Sequence, residues 1–178
     1  MRPNASSRAR NTKILEALKG LNADILILTE TDSLIHPGEK YISSSSTPLL
    51  GASFRKQEKY TEGENRVTIW SRYQAKRIKT SNSSSTVCAG ISTPLGELIV
   101  YGTVIGIYGR GRPEFICDLE DQIIDWQKIS GNGNACIAGD FNQALGGGSY
   151  FTIDGRQKII DCFQQFKIAP NQEVPRKH

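Results

Sequence analysis

The sequence feature that most constrains the fold is a short apolar run at residues 25–28 that does not alternate with polar residues. A strand with one solvated face alternates apolar and polar residues, so an unbroken run predicts a strand that is covered on both faces. A second run at residues 135–138 has the same character. Because covered strands need other layers on either side, these runs predict a layered α/β domain.

Helical and strand patterns alternate along the rest of the chain. Apolar residues recur at helical spacing in three stretches: 14–21, 116–126 and 159–166. Three further stretches are predicted as strands: 67–71, 86–91 and 97–107. The last two form a predicted hairpin around Pro94, and residues 31–61 are predicted to be irregular apart from a short strand near 52–54. This order predicts a single domain over residues 1–178.

Length and composition exclude several classes of protein. The chain has 178 residues, of which 38% are hydrophobic, enough for one domain with a real core. It has no apolar run of the roughly 20 residues that a membrane-spanning helix needs, and no apolar secretion segment follows Met1. The four cysteines form no CxxC motif and are predicted to be reduced thiols buried in the core. These features predict a cytoplasmic globular protein.

Charge is distributed unevenly, although the net charge of +4 is too small to indicate a nucleic-acid partner by itself. Residues 55–79 hold eight basic and three acidic side chains with aromatic residues between them, which suits a phosphate-bearing ligand or an ordinary basic surface. Within this stretch, Arg72 is expected to pair with backbone or a carboxylate. Residues 113–125 hold five acidic side chains and no basic one, which predicts a solvated helix face.

Two acidic residues follow the two apolar runs. Glu30 comes after residues 25–28, and Asp140 comes after residues 135–138, with Asn142 two positions later. Ligands gather where the strands of layered α/β folds end, and two carboxylates there can share a hard divalent cation. The Asn142 amide can bind a phosphate oxygen or orient a nucleophile. The alternative is that Glu30 caps a turn and Asp140 forms an Asx-turn.

Four segments in this order resemble the endonuclease/exonuclease/phosphatase superfamily. They are Leu-Thr-Glu-Thr at 28–31, the strand and Ser-Arg at 67–72, the strand at 98–103, and Gly-Asp-Phe-Asn at 139–142. The resemblance covers about residues 8–168, and the Gly-Asp-Phe-Asn tetrapeptide is its most specific part. It implies a four-layer α/β sandwich, with two facing mixed sheets and outer helices.

The same resemblance implies a phosphoesterase that depends on Mg²⁺ or Mn²⁺. Glu30 would hold the metal, Asp140 would orient or deprotonate the attacking water, and Asn142 would help to bind the scissile phosphate. The cation would neutralise charge on phosphorus during in-line displacement. The implied partner is a phosphoester substrate, with nucleic acid, nucleotides, inositol phosphates and lipid phosphates all compatible with the fold.

The sequence departs from the superfamily pattern in three places. No apolar strand ending in a metal-linked asparagine precedes the first helix, Val104 follows Thr103 where many members have Thr-His, and residues 175–178 lack the terminal Asp-His pair. These departures predict a domain that is incomplete at both ends and has little or no phosphoesterase activity. An inactive remnant that binds metal or nucleic acid is the alternative, and a pure nucleic-acid-binding module is a third.

Overall fold

The computed structural model describes residues 5–32, 34–47, 63–105, 113–131, 133–143 and 153–166. These residues contain three helices, α1 (Ala5–Leu21), α2 (Pro113–Ser130) and α3 (Ile153–Gln165). Their strands are β1 (Ile25–Asp32), β2 (Ile42–Ser45), β3 (Glu64–Ser71), β4 (Ala75–Ile78), β5 (Thr86–Thr93), β6 (Gly96–Val104) and β7 (Ala135–Asp140). The strand predicted near residues 52–54 lies outside the described residues.

The strands form two sheets. The first has the order β1-β3-β2 and is antiparallel throughout, and the second has the order β4-β5-β6-β7. The β5–β6 pair is the predicted hairpin, and β6 and β7 are parallel because α2 carries the chain back between them. One sheet is therefore mixed as predicted, whereas the first sheet is antiparallel rather than mixed in the part of the chain described.

Three apolar clusters separate four layers and confirm the predicted sandwich. Leu18 of α1 packs against Leu26 and Trp70 on the outer face of the first sheet. The residues that fill the space between the sheets are Val67, Ile69, Val87, Ala89, Ile91, Val100 and Val104. On the outer face of the second sheet, Tyr101 packs with Leu119, Trp126 and Ile159 of the two later helices. Burial of each of these aliphatic side chains stabilises the folded state by roughly 1.5–3 kcal/mol.

The two strands that the apolar runs predicted are edge strands among the described residues. Both faces of β1 are covered as predicted, since Ile25 and Ile27 pack between the sheets and Leu26 packs against α1. The corresponding prediction for β7 is wrong, because Ala135 and Cys136 are exposed. The reason is topological: among described strands, β7 has a hydrogen-bonded neighbour on one side, β6. Apolar composition predicts a strand but not its place in the sheet.

The cysteines are free, as predicted, but only two of them lie in the core. Cys88 and Cys162 are buried, whereas Cys117 and Cys136 are exposed, which corrects the prediction of core thiols. Burial raises the pKa of Cys88 to about 12, and the nearby Asp125 carboxylate acts in the same direction. Burial also raises the pKa of Cys162 to about 11. Both buried thiols are therefore protonated and unreactive at neutral pH.

Among the helices described, none is long and apolar enough to cross a membrane.

Candidate active site

Backbone hydrogen bonds join the two sheets at one rim of the sandwich. In the first sheet, Thr29 near the end of β1 pairs with Val67 of β3, and the Ser46 amide donates to the Val67 carbonyl at 2.8 Å. The next amide, of Thr47, donates to the Ser83 carbonyl at 2.7 Å. Because Ser83 lies in the loop that leads into β5, these bonds bring the end of β1 to the same rim as the start of β5.

The second sheet continues this rim as far as β7. The Val104 amide at the end of β6 donates to the Ser85 carbonyl at 2.9 Å, just before β5 begins. The following amide, of Ile105, donates to the Asp140 carbonyl at 2.9 Å. The carboxyl ends of β1, β6 and β7 therefore meet at one rim, where the predicted site residues Glu30 and Asp140 both lie. That their carboxylates share a cation stays a prediction.

A glycine lets the sheets approach closely just below this rim. A Cβ added to Gly102 of β6 would lie 2.6 Å from the Val67 side chain and 3.2 Å from that of Ile27. Contacts this short leave no space for a side chain. The small residue in β6 therefore lets this strand pack closely against β1 and β3 of the first sheet.

Glu30 interrupts the regular backbone of β1. Thr29 pairs with Val67 and Thr31 pairs with Asn65, but Glu30 between them has a left-handed φ of +48°. Such a conformation is uncommon for a residue other than glycine, and it concentrates at functional sites. Glu30 is exposed, whereas Thr31 is 4% exposed, and its hydroxyl has no hydrogen-bond partner among the described residues. The end of β1 thus combines an exposed carboxylate with a strained backbone.

Gly139 and Asp140 owe their positions to a close approach between β7 and β6. Gly139 has a φ of +145°, and a Cβ there would lie 1.9 Å from the Thr103 carbonyl oxygen. Only glycine fits this position. Asp140 is exposed, and its Oδ1 accepts a hydrogen bond from the Asn142 amide at 3.0 Å. This is the Asx-turn of the alternative interpretation, and it occupies one of the two carboxylate oxygens.

Asn142 closes the turn in a left-handed conformation. Its φ is +48°, which asparagine tolerates better than most residues. Its side-chain Nδ2 donates to the Ile105 carbonyl at 2.6 Å, so one N–H of the amide fixes the segment that follows β6. The two predicted catalytic residues, Asp140 and Asn142, are therefore held to each other and to β6 by hydrogen bonds.

Phe141 anchors the same turn in the core. Its ring lies 5.8 Å from that of Trp126 and 6.2 Å from that of Phe163, both in edge-on geometry. Aromatic pairs at such spacing contribute about 0.5–1.5 kcal/mol beyond their burial. Each residue of the Gly-Asp-Phe-Asn tetrapeptide thus has a distinct structural role around Asp140.

Arg72 pairs with backbone and a carboxylate, as predicted. Its guanidinium donates to the Asp24 carboxylate at 3.3 Å and to both oxygens of Asn22, and it lies over the Tyr41 ring at 5.1 Å. Lys76 and Arg77 lie on β4, at the opposite edge of the second sheet from β7. Lys76 and Arg77 therefore lie away from the rim, whereas Arg66 lies on β3 between the strand partners of Thr29 and Thr31, opposite the position of Glu30.

The acidic run of α2 is not a solvated face throughout, which corrects that prediction. Glu120 and Asp121 are exposed, but Asp118 and Asp125 are 7% and 5% exposed. Helical spacing signals this difference, because 118 and 125 lie on the same side of the helix as the buried Leu119 and Trp126. Sequence reasoning missed both buried carboxylates.

A small cavity of about 110 Å³ lies away from the rim, beneath the C-terminal turn of α2. Asp125 lines it, and its two oxygens accept bonds from the Ser81 amide at 2.7 Å, the Ser81 hydroxyl at 2.8 Å and the Tyr101 hydroxyl at 3.2 Å. Because these bonds satisfy the buried carboxylate internally, Asp125 ties the loop before β5 to the helix.

No group of three or more His, Cys, Asp or Glu side chains in the described ranges is arranged to hold a metal ion. The rim instead offers the Glu30 and Asp140 carboxylates. Oxygen donors of this kind suit Mg²⁺, which commonly binds through one or two carboxylates and keeps several waters. The donors thus fit a hard cation in kind, with water and substrate oxygens needed to complete the coordination.

Comparisons with known proteins agree with the fold. A family model described as the Endonuclease/Exonuclease/phosphatase family matches residues 2–174. The chain is similar to the endonuclease domain of TRAS1, a telomere-specific non-LTR retrotransposon, with a TM-score of 0.60, 13% identity and coverage of 88% of this chain. It is also similar to an AP endonuclease from Archaeoglobus fulgidus, with a TM-score of 0.60, 16% identity and coverage of 89%. The match spans 66% of each of those chains. Among curated protein sequences, none matches significantly.

Proposed function

The chain belongs to the endonuclease/exonuclease/phosphatase family, and from this we propose that it hydrolyses a phosphoester bond with the help of Mg²⁺ or Mn²⁺. The observation that carries the proposal is the meeting of the ends of β1 and β7 at one rim, where Glu30 and Asp140 are both exposed. Strand ends of this kind are where layered α/β folds bind their ligands.

Glu30 would hold the cation directly, and Asp140 would reach it through the attacking water. A bound divalent cation would supply electrostatic stabilisation of the charge that develops on the phosphoryl oxygens. The backbone at Glu30 supports this role, because a φ of +48° is uncommon for a residue other than glycine and such strained residues concentrate at functional sites.

Asp140 would orient and deprotonate the attacking water. Its Oδ1 is held by the Asn142 amide, which fixes the carboxylate plane, and the other oxygen is the one that would accept the proton. Asn142 would contribute the second N–H of its side-chain amide to a phosphate oxygen, since the first is bound to Ile105. Fixed donors and acceptors of this kind lower the barrier because they need no reorganisation during the reaction.

We propose nucleic acid as the substrate class. The support is that both similar solved structures are named as endonucleases. A phosphate monoester is the other substrate that the family description includes. The two are distinguished by whether a phosphodiester or a phosphomonoester is the better substrate at equal metal concentration.

A metal-binding scaffold without turnover is the second candidate. It is favoured by the hydrogen bonds that tie Asp140 and Asn142 into a turn. This candidate predicts that Mn²⁺ binds at the rim but that neither class of phosphoester is hydrolysed.

The test is hydrolysis of supercoiled plasmid, of the diester bis(4-nitrophenyl) phosphate and of the monoester 4-nitrophenyl phosphate in Mg²⁺, Mn²⁺ or EDTA. We expect hydrolysis with either metal and none in EDTA. Glu30→Gln keeps the shape of the side chain but removes its charge, so the metal concentration for half-maximal rate should rise at least about tenfold, because loss of a partner that merely orients a metal ligand already costs that much.

Glu39→Gln is the matched control, since Glu39 is an exposed glutamate in the turn before β2, which begins at the opposite end of the first sheet from Glu30. Its metal dependence should equal that of the unmodified chain. An equal metal requirement for the Glu30 and Glu39 variants would show that Glu30 does not bind the metal. Metal binding without hydrolysis would support the metal-binding scaffold instead of the hydrolase.

A further inference from the structure

We propose that Asp118 and Gln122 of α2 are positioning residues that hold the end of β6 and thereby set the place of Asp140. The inference rests on the proposed function, because it assigns these side chains to the same rim. Neither residue lies at the surface: Gln122 is 0% exposed and Asp118 is 7% exposed.

Gln122 binds the end of β6 directly, at Thr103. Its Oε1 accepts a hydrogen bond from the Thr103 hydroxyl, and its Nε2 donates to Asp118 Oδ2 at 3.3 Å. Thr103 is fully buried, and its carbonyl oxygen is the atom that a Cβ at position 139 would strike. The Gln122 side chain therefore positions Thr103, the residue against which Gly139 packs.

Asp118 holds the same place by a second route. Its Oδ1 accepts from Asn82 Nδ2 at 2.7 Å and from the Ser85 hydroxyl at 3.4 Å. The Ser85 carbonyl in turn accepts the Val104 amide at 2.9 Å. One buried carboxylate therefore fixes Thr103 through Gln122 and fixes Val104 through Ser85.

The two residues held in this way are the strand partners of the site. Thr103 pairs with Gly139 and Val104 pairs with Asp140 in the parallel ladder. The following residue, Ile105, donates its amide to the Asp140 carbonyl and accepts the Asn142 side chain. A shift of the end of β6 would therefore move Asp140 and Asn142 with it.

A comparison within α2 separates this role from simple stabilisation. Asp125 is two turns along the same helix and is as deeply buried, but it binds Ser81 and Tyr101 rather than the end of β6. Both carboxylates accept hydrogen bonds from the loop before β5, so loss of either should lower the stability of the protein. The contacts of Asp118 also reach the strand partners of the site, and those of Asp125 do not.

The first test is Gln122→Met, which keeps the length of the side chain but removes both hydrogen bonds. Small displacements of catalytic groups are costly, so kcat for bis(4-nitrophenyl) phosphate should fall about tenfold to 100-fold with KM nearly unchanged. Amide hydrogen exchange of Val104 and Ile105 should accelerate relative to amides at the centre of β5. Asp118→Asn should show the same pattern to a smaller degree, because an asparagine retains part of the bonding.

Asp125→Asn is the matched control. It should lower the melting temperature but leave kcat and the relative exchange of Val104 and Ile105 as in the unmodified chain. If Gln122→Met does not fold, Thr103→Val removes the same hydrogen bond from the other side, and Thr103→Ser should restore the exchange pattern of the unmodified chain.

Hydrogen exchange tests the positioning role without turnover, so its outcome is separable from that of the proposed function. If the unmodified chain hydrolyses no phosphoester, the proposed hydrolase function is wrong. Faster exchange of Val104 and Ile105 in the Gln122 variant would still support the positioning of β6 by Gln122. Unchanged relative exchange of Val104 and Ile105, or equal loss of kcat in the Asp125 control, would overturn the inference.

Discussion

Replacement of Asp140 by asparagine is expected to lower kcat for phosphoester hydrolysis by about 10²- to 10⁴-fold, the range that a general base contributes. The thermal stability should stay close to that of the unmodified chain. An asparagine oxygen can still accept the hydrogen bond that Asp140 Oδ1 receives from the Asn142 amide at 3.0 Å. The Asx-turn is therefore kept, while the negative charge and the basic oxygen are lost.

Asp140→Ala removes the turn acceptor as well and provides the comparison. It should lose at least as much activity and also some stability, since an unpaired amide is left at Asn142. Steady-state rates with saturating Mn²⁺ and thermal melts of the two variants separate the effects. Full activity in the asparagine variant with loss in the alanine variant would mean that Asp140 serves the turn alone.

Gly139→Ala is expected to cause the largest loss of stability of any single methyl group added at the rim. The new Cβ would lie 1.9 Å from the Thr103 carbonyl oxygen and 2.9 Å from the Thr103 backbone N and C. These are backbone atoms of a fully buried residue, so they cannot move aside cheaply. Together with the φ of +145°, this should cost more than about 3 kcal/mol, in the range of severe backbone strain.

Gly96→Ala is the matched control for backbone conformation. Gly96 also has a positive φ, +112°, but nothing lies within 4 Å of its added Cβ. Its cost should be about 1–2 kcal/mol, from the strained φ alone. Urea unfolding of both variants measures the difference. An equal loss of unfolding free energy in the two variants would mean that β6 and β7 can separate at no cost, against the close packing described here.

The layered fold was predictable because its signal is local. The unbroken run at residues 25–28 predicted a covered strand, and the structure covers β1 with α1 on one side and the second sheet on the other. The hairpin around Pro94 followed from a turn between two strand patterns, and it appears as β5 and β6. Such features depend on the alternation and turn chemistry of neighbouring residues.

Features that depend on the rest of the molecule were not predictable. β2 and β4 have the sequences ISSS and AKRI, whose polar side chains resemble those of a loop. They are strands because each pairs with a longer apolar strand. The exposure of β7 and the burial of Asp118 likewise depend on which elements pack beside them, which periodicity does not specify.

That Glu30 and Asp140 form the candidate site stays a prediction from the sequence, and the contacts that hold these residues could not be predicted. Glu30 and Asp140 were identified because each follows an apolar run, and the structure brings the ends of both strands to one rim. The left-handed backbone at Glu30 and the hold of Gln122 on Thr103 arise from tertiary contacts. Residues far apart in sequence make those contacts, so no local pattern marks them.

The central claim is that Glu30 and Asp140 share one divalent cation, and Mn²⁺ titration of the ¹⁵N-labelled chain tests it most directly. We predict that substoichiometric Mn²⁺ broadens the amide signals of Thr31 and Asn142 together, that excess Mg²⁺ restores both, and that Gly96, at the far end of β6 from Val104, is unaffected. Broadening at only one of the two strand ends, or equal broadening at Gly96, would contradict the shared site.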